Sequence, residues 1–161
     1  MGITSRVVRF LLKKAGLAII PVTVSVEIGL FGDAKMPTQT YSSDACWDLY
    51  ASKDCTILAR AVTMLPTGIV IHIPVGYEGE LKCRSSLGKK GITVHYGAID
   101  AEYTGILNPL ILNWTDQDIE VKKGDRVCQF VLRRKINIVW SPVATFESTG
   151  RGINDLGSSG R

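Results

Sequence analysis

Pro66-Thr67-Gly68-Ile69-Val70-Ile71-His72-Ile73-Pro74-Val75-Gly76-Tyr77 is a short β-branched run closed by a glycine turn at each end. A run this short and this rich in Ile and Val reads as a strand, because a helix needs more length. His72 sits inside it as a strand-face residue. The same grammar extends outward. Upstream, VTVSVEIGL (22–30) alternates with period two, setting Val22, Val24, Val26 and Ile28 on one face. Downstream come GITVHYGAI (91–99), GILNPLILNW (105–114), IEVKKG (119–124) and RVCQFVL (126–132), each bounded by Gly, Pro, Asn or Asp. Lys123-Gly124-Asp125 adds a third glycine turn. Only Arg84 to Lys90 reads as a short helix, capped by Ser85 or Ser86. Many short strands without helices between them predict an all-β barrel or sandwich.

The 161 residues suffice for one domain with its own core. Hydrophobic residues make up 45% and charged residues 21%, which excludes a disordered chain. No apolar run reaches the roughly 18 residues of a membrane span, so no membrane insertion is expected. The net charge of +4 is mild. It suits a phosphate-bearing ligand and falls short of a nucleic-acid surface. Residues 1–20 read as a basic amphipathic extension, first a frayed tail or oligomer contact and secondly a helix for a membrane surface or protein partner. Phe10-Leu11-Leu12 is too short for a signal segment and Lys13-Lys14 interrupts it, so a cytoplasmic location is expected, with nuclear or viral settings equally compatible. Residues 21–140 form the β domain. Residues 141–161, rich in Gly and Ser, form a C-terminal arm. Cys46, Cys55, Cys83 and Cys128 lack zinc spacing and read as reduced, mostly buried thiols.

No nucleophile–base signature occurs, and neither His72 nor His95 sits in a metal-binding frame. Chemistry concentrates elsewhere. Arg84-Ser85-Ser86 places a guanidinium fork and two hydroxyls at the start of a helical turn, a phosphate-binding combination. Read locally, it is equally a capped surface turn. Gly97 to Gly105 reads as a hairpin in which Asp100 and Glu102 share one face. A carboxylate there can orient water as a general base, and Tyr103 can stack on a sugar or base. Gly124-Asp125-Arg126-Val127-Cys128-Gln129 is a turn entering a strand. Asp48, flanked by apolar Trp47 and Leu49, calls for a dedicated hydrogen-bond or ion partner. Gly157-Ser158-Ser159-Gly160 offers an anion nest, with Arg151 and Arg161 as cationic forks, and by composition alone the segment reads equally as a disordered tail.

Taken in order, these segments resemble the dUTPase family of the trimeric all-β type. Asp44 to Ala51 resembles a motif usually written A-G-Y-D-L-x-A. Arg84 to Leu87 matches R-S-S/G-L. Gly97 to Gly105 matches G-x-I-D-x-D/E-Y-x-G, and Gly124 to Gln129 matches G-D-R-x-x-Q. Arg151 to Gly160, RGINDLGSSG, resembles R-G-x-x-G-F-G-S-T-G. The resemblance implies a distorted jelly-roll or β-clip-like barrel subunit in a homotrimer, with a mobile C-terminal arm and composite sites. It implies hydrolysis of dUTP to dUMP and pyrophosphate with Mg²⁺, lowering dUTP and supplying dUMP for thymidylate synthesis. Asp100 would activate the attacking water. Tyr103 would pack on the deoxyribose. The hairpin backbone at Val94, Gly97 and Ile99 would read uracil. Arg84, Ser85, Ser86 and Gln129 would hold the phosphates. Arg151, Leu156, Gly157, Ser158 and Ser159 would close over them with the arm. Asp48 would meet the metal through water, the other metal contacts coming from the substrate phosphates.

The arm departs from the pattern. Leu156 stands where the family has Phe, and Asn154 and Asp155 replace glycines. Asp155 brings a negative charge towards the triphosphate. Cys46, Trp47 and Cys83 also replace commoner residues. Two rival readings carry different chemistry. A dCTP deaminase shares the Arg-Ser-Ser turn and a glycine-rich tail. A catalytically weakened trimer would serve as a protein-binding module.

Overall fold

The computed structural model describes residues 23–95 and 97–147. Its strands in chain order are β1 (Glu27–Leu30), β2 (Trp47–Tyr50), β3 (Cys55–Ile57), β4 (Val62–Met64), β5 (Ile69–His72) and β6 (Tyr77–Lys82). After a helical turn α1 (Ser85–Gly88) follow β7 (Ile92–His95), β8 (Ala98–Ile99), β9 (Leu110–Asn113), β10 (Ile119–Val121) and β11 (Arg126–Arg134). They form small antiparallel sheets in the orders β1-β5, β10-β3, β2-β11-β6-β8 and β4-β9-β7. Neighbours are far apart in the chain, as in a jelly roll, and the fold is all-β and jelly-roll-like. Among the described residues no helix is long and apolar enough to cross a membrane.

Period-two alternation buries one face of each sheet. Leu49, Leu65, Ile69, Ile73, Ile92 and Ile111 are fully buried. Burying each such side chain contributes about 1.5–3 kcal/mol. His72 points out of β5, and its Nδ1 lies 2.9 Å from Glu27 Oε2 on the paired strand.

The first strand is shorter than its alternation predicts. It begins at Glu27, opposite His72. Continuing that register would bring Ser25 to Pro74, which has no N–H to donate. Val24 and Val26 turn instead towards an apolar groove of about 740 Å³ between β1-β5 and β2-β11-β6, which Trp47, Tyr77, Phe130 and Leu132 also line.

The helical turn also differs. Neither serine hydroxyl caps it. Arg84 is the N-cap, extended at φ −73° and ψ 138°, and its carbonyl accepts from Leu87 and Gly88 N–H. Ser85 and Ser86 lie inside the turn, exposed.

The cysteines are free, as expected, but only Cys128 is buried, and the other three are half-buried. The reason is position. Cys128 faces the core from mid-sheet, whereas the others lie at strand ends or loops.

Candidate functional site

A buried carboxylate organises one end of the sheet β2-β11-β6-β8. Asp48 on β2 is 5% exposed. Its Oδ1 accepts from Arg84 Nε at 3.0 Å and from Gln129 Nε2 at 3.1 Å, and its Oδ2 accepts from Arg126 Nη1 at 3.1 Å. Three segments widely separated in sequence thus meet on one charge. A carboxylate this buried needs such compensation. The dedicated partner that its apolar flanks call for is present in triplicate.

Gln129 reaches Asp48 because the two residues are direct cross-strand partners. Arg126 is three residues away, and plain alternation would turn it to the opposite face. A bulge corrects this. Arg126 pairs with Tyr50 and Cys128 with Leu49, leaving Val127 as the extra residue. The register shift brings Arg126 and Gln129 to the same carboxylate. Arg126 is the site residue that the sequence reading passed over. Its signal was the turn directly ahead of it, where a bulge at a strand end is common.

Arg84 leaves the end of β6 with its guanidinium on Asp48 and its backbone opening α1. Ser85 and Ser86 therefore stand beside a guanidinium already oriented by a carboxylate. Cys83 supports the same turn from beneath. Its Sγ lies 3.2 Å from the Ile92 carbonyl and 3.3 Å from that of Arg84. Burial raises its pKa, against lowering contacts from the Val94 and Gly88 backbone.

Asp100 and Tyr103 lie elsewhere. β8 pairs with β6 at Gly79–Ile99 and Glu80–Ala98. Asp100 thus follows at the level of Glu78 and Gly79, five residues or more along β6 from Arg84, roughly 17 Å. The expected shared face of Asp100 and Glu102 does not form. The strand stops at Ile99, Tyr103 N–H donates to Asp100 C=O at 3.3 Å, and Glu102 takes φ +65°. The chain turns there and alternation is lost. Tyr103 folds back over Gly105, where an added Cβ would meet its hydroxyl and push the partly exposed ring aside. Asp100 is exposed and Tyr103 is 40% exposed, both open to solvent on this subunit.

Along the hairpin, Val94 is half-buried and faces Ile111 across β7-β9. Ile99 sends its side chain into the core at 2% exposure, so only its backbone is available to a ligand. Gly97, at φ +82°, is exposed. Arg151, Leu156, Gly157, Ser158 and Ser159 lie outside the described residues, as do residues 1–22.

Among the described residues no group of three or more His, Cys, Asp or Glu side chains converges as a metal cage. Asp48 is not free to coordinate directly, since both oxygens face cationic or amide donors. That donor chemistry fits Mg²⁺ carried on ligand phosphates, the usual preference of this ion, rather than a protein-built site.

A small antiparallel jelly roll with a paired Asp-Arg-Gln cluster beside a hydroxyl-bearing turn defines an anion-handling β protein. The dUTPase family model matches residues 32–160. A probable deoxyuridine 5'-triphosphate nucleotidohydrolase of Schizosaccharomyces pombe is 37% identical, covering 79% of this chain and 91% of the relative. A deoxyuridine 5'-triphosphate nucleotidohydrolase of Wolbachia pipientis wMel is 39% identical, covering 80% and 89%. A mutant dUTPase of Staphylococcus bacteriophage 80alpha, solved with dUpNHpp, superposes with TM-score 0.79 at 25% identity, covering 86% and 100%. A mutant dUTPase from phage phi11 of S. aureus, described with a structural Mg(II) ion, shares the fold at TM-score 0.71 and 21% identity. The chain belongs to the dUTPase family.

Proposed function

We propose that this protein hydrolyses dUTP to dUMP and pyrophosphate. The observation that supports the reading is the Asp48 cluster, which holds Arg84 and Gln129 side by side, with Ser85 and Ser86 next to Arg84 in the chain. Family membership supplies the nucleotide.

Arg84 donates a planar fork to the phosphate oxygens, and the two serine hydroxyls and Gln129 add neutral donors. Asp48 holds Arg84 and Gln129 in place before substrate arrives, so little ordering cost falls on binding. Mg²⁺ would be held by the substrate phosphates and, through water, by Asp48, and would supply neutralisation of the phosphate charge. Asp100 accepts the proton of a water aligned on the α-phosphorus, and the P–O bond to the pyrophosphate oxygen breaks. Tyr103, packed on Gly105, offers its ring face to the deoxyribose. The backbone from Val94 to Ile99 reads uracil. Cytosine exchanges a carbonyl for an amino group there and leaves buried groups unpaired.

The distance of roughly 17 Å along β6 between Asp100 and Arg84 is too long for one α-phosphate to meet both within a subunit. Catalysis therefore joins the Asp100 end of one copy to the Arg84 end of another, in a homotrimer. Exposed apolar side chains support this: Val139, Trp140 and Phe146 are 93%, 84% and 90% exposed. Such surface is what a partner copy covers. Residues 21–140 act as the β domain. Residues 141–161 act as the arm, bringing Arg151, Gly157, Ser158 and Ser159 to the β- and γ-phosphates. Leu156 offers less stacking area than Phe, so Leu156→Phe lowers KM for dUTP.

Pyrophosphate release from dUTP tests the reading, with Asp100→Asn as control. Wild-type turnover with loss of at least about a hundredfold in the variant is expected, the contribution of a general base. Uracil nucleotide formed from dCTP, or no pyrophosphate release from dUTP at all, contradicts it.

A further inference from the structure

Two cysteines lie directly behind the phosphate grip, and the reaction uses neither. β6 and β11 pair antiparallel, with Phe130 opposite Leu81 and Gln129 opposite Lys82. β6 ends at Lys82, and extending that register by one step into the chain beyond it would set Cys83 opposite Cys128. Both belong to the inward face, since Leu81 and Phe130 are buried two residues away on each strand. Directly opposed residues in an antiparallel pair have Cα atoms about 4.5–5.5 Å apart. That spacing falls within the range of about 4.4–6.8 Å that a disulfide spans. The other two thiols have no such counterpart: Cys55 faces Val121 on β10, and Cys46 precedes β2.

We propose that Cys83 and Cys128 form a reversible disulfide that loosens the phosphate-binding turn. The oxidant is a small-molecule disulfide. The Cys83 thiolate attacks one of its sulfurs, expelling one thiol and leaving a mixed disulfide. The Cys128 thiolate then attacks the Cys83 sulfur and expels the second thiol. Two protein thiols become one S–S bond, and one small disulfide becomes two thiols. Cys83, half-buried, is the point of entry, and Cys128 resolves from the core. Burial holds both thiols above their ordinary value, which lowers the thiolate fraction and slows the exchange at neutral pH.

The consequence follows from what Cys83 touches. Its sulfur now lies against the Ile92 carbonyl and links the base of α1 to β7. Drawn to Cys128, it gives up that contact, with Arg84 next in sequence on one strand and Gln129 on the other. The reduced form grips phosphate better than the oxidised form.

The test uses the full chain. Reduced protein is incubated with oxidised glutathione, remaining thiols are alkylated, and the product is digested with trypsin. The expected product is Cys83-Arg84 linked to Val127–Arg133. Alkylation of all four cysteines, glutathione retained on Cys83 alone, or a bond to Cys46 or Cys55 overturns the pair. The functional arm rests on the dUTP reading. There the oxidised protein shows KM raised by about two- to tenfold, the worth of one hydrogen bond. The Cys83→Ser protein shows no change on the same treatment. A crosslink that leaves KM unmoved overturns the coupling. Absence of dUTP turnover in both redox states contradicts the proposed function, while the peptide map still decides the bond.

Discussion

Asp48 is one carboxylate with three donors, and its removal should be felt in two measurements. Asp48→Ala leaves the Arg84 guanidinium, whose side chain is only 21% exposed, beside a cavity with no counter-charge. Breaking a buried pair from one side costs about 3–5 kcal/mol, and the exposure of Arg126 at 45% argues for the lower end. Urea unfolding should register that loss, and KM for dUTP should rise because Arg84 and Gln129 are no longer held. Asp48→Asn keeps the shape and should retain more stability than Ala. A second residue-scale effect concerns Cys128, whose thiol is pushed far up, first by desolvation, then by the Asp48 charge and Cys83. Its folded pKa lies above its unfolded value. Its contribution to stability is therefore complete below about pH 8.5 and declines as pH climbs towards the folded value. Melting temperature between pH 8 and 10 should fall less steeply in Cys128→Ala than in the parent.

At the scale of elements, much was legible before any coordinates. Ile69–His72, Ile92–His95 and Leu110–Asn113 announce themselves by short apolar runs between turn residues, and each is a strand. What escaped depends on a partner strand. Val22 to Val26 alternate as a strand should, yet Pro74 on the facing chain ends the ladder at Glu27. Arg126 looks out of phase with Gln129 until the Val127 bulge is known. Asp100 and Glu102 look in phase until the turn breaks the strand after Ile99. Register and bulges arise from pairing across the chain, and no window of local sequence contains them. Gly79 is another such case. On β6 it sits where a Cβ would lie 2.7 Å from both Ile73 Cδ1 and Phe130 Cε2. The Ile73 tip can rotate, but the Phe130 ring is held in the core at 5% exposure. Gly79→Ala should cost about 1–3 kcal/mol, the usual range for overpacking, read as a lower denaturation midpoint with an unchanged m-value.

At the scale of the molecule, the question is what one subunit leaves unfinished. The candidate base Asp100 and the candidate phosphate ligand Arg84 lie at different levels of the same sheet, separated by five or more residues of β6. Neither side chain can cross that span. The same chain exposes Ile136 at 82% and Trp140 at 84%. A candidate base out of reach and uncovered apolar surface are two separate deficits, and the proposed trimer would remedy both. Light scattering should therefore give about three times 17.6 kDa. A sharper test mixes two inactive proteins, Asp100→Asn and Arg84→Ala. If each site takes Asp100 from one copy and Arg84 from another, subunit exchange restores some intact sites, and pyrophosphate release returns in the mixture. If each subunit works alone, the mixture stays as inactive as its components, and the composite site is refuted even where the mass is that of a trimer.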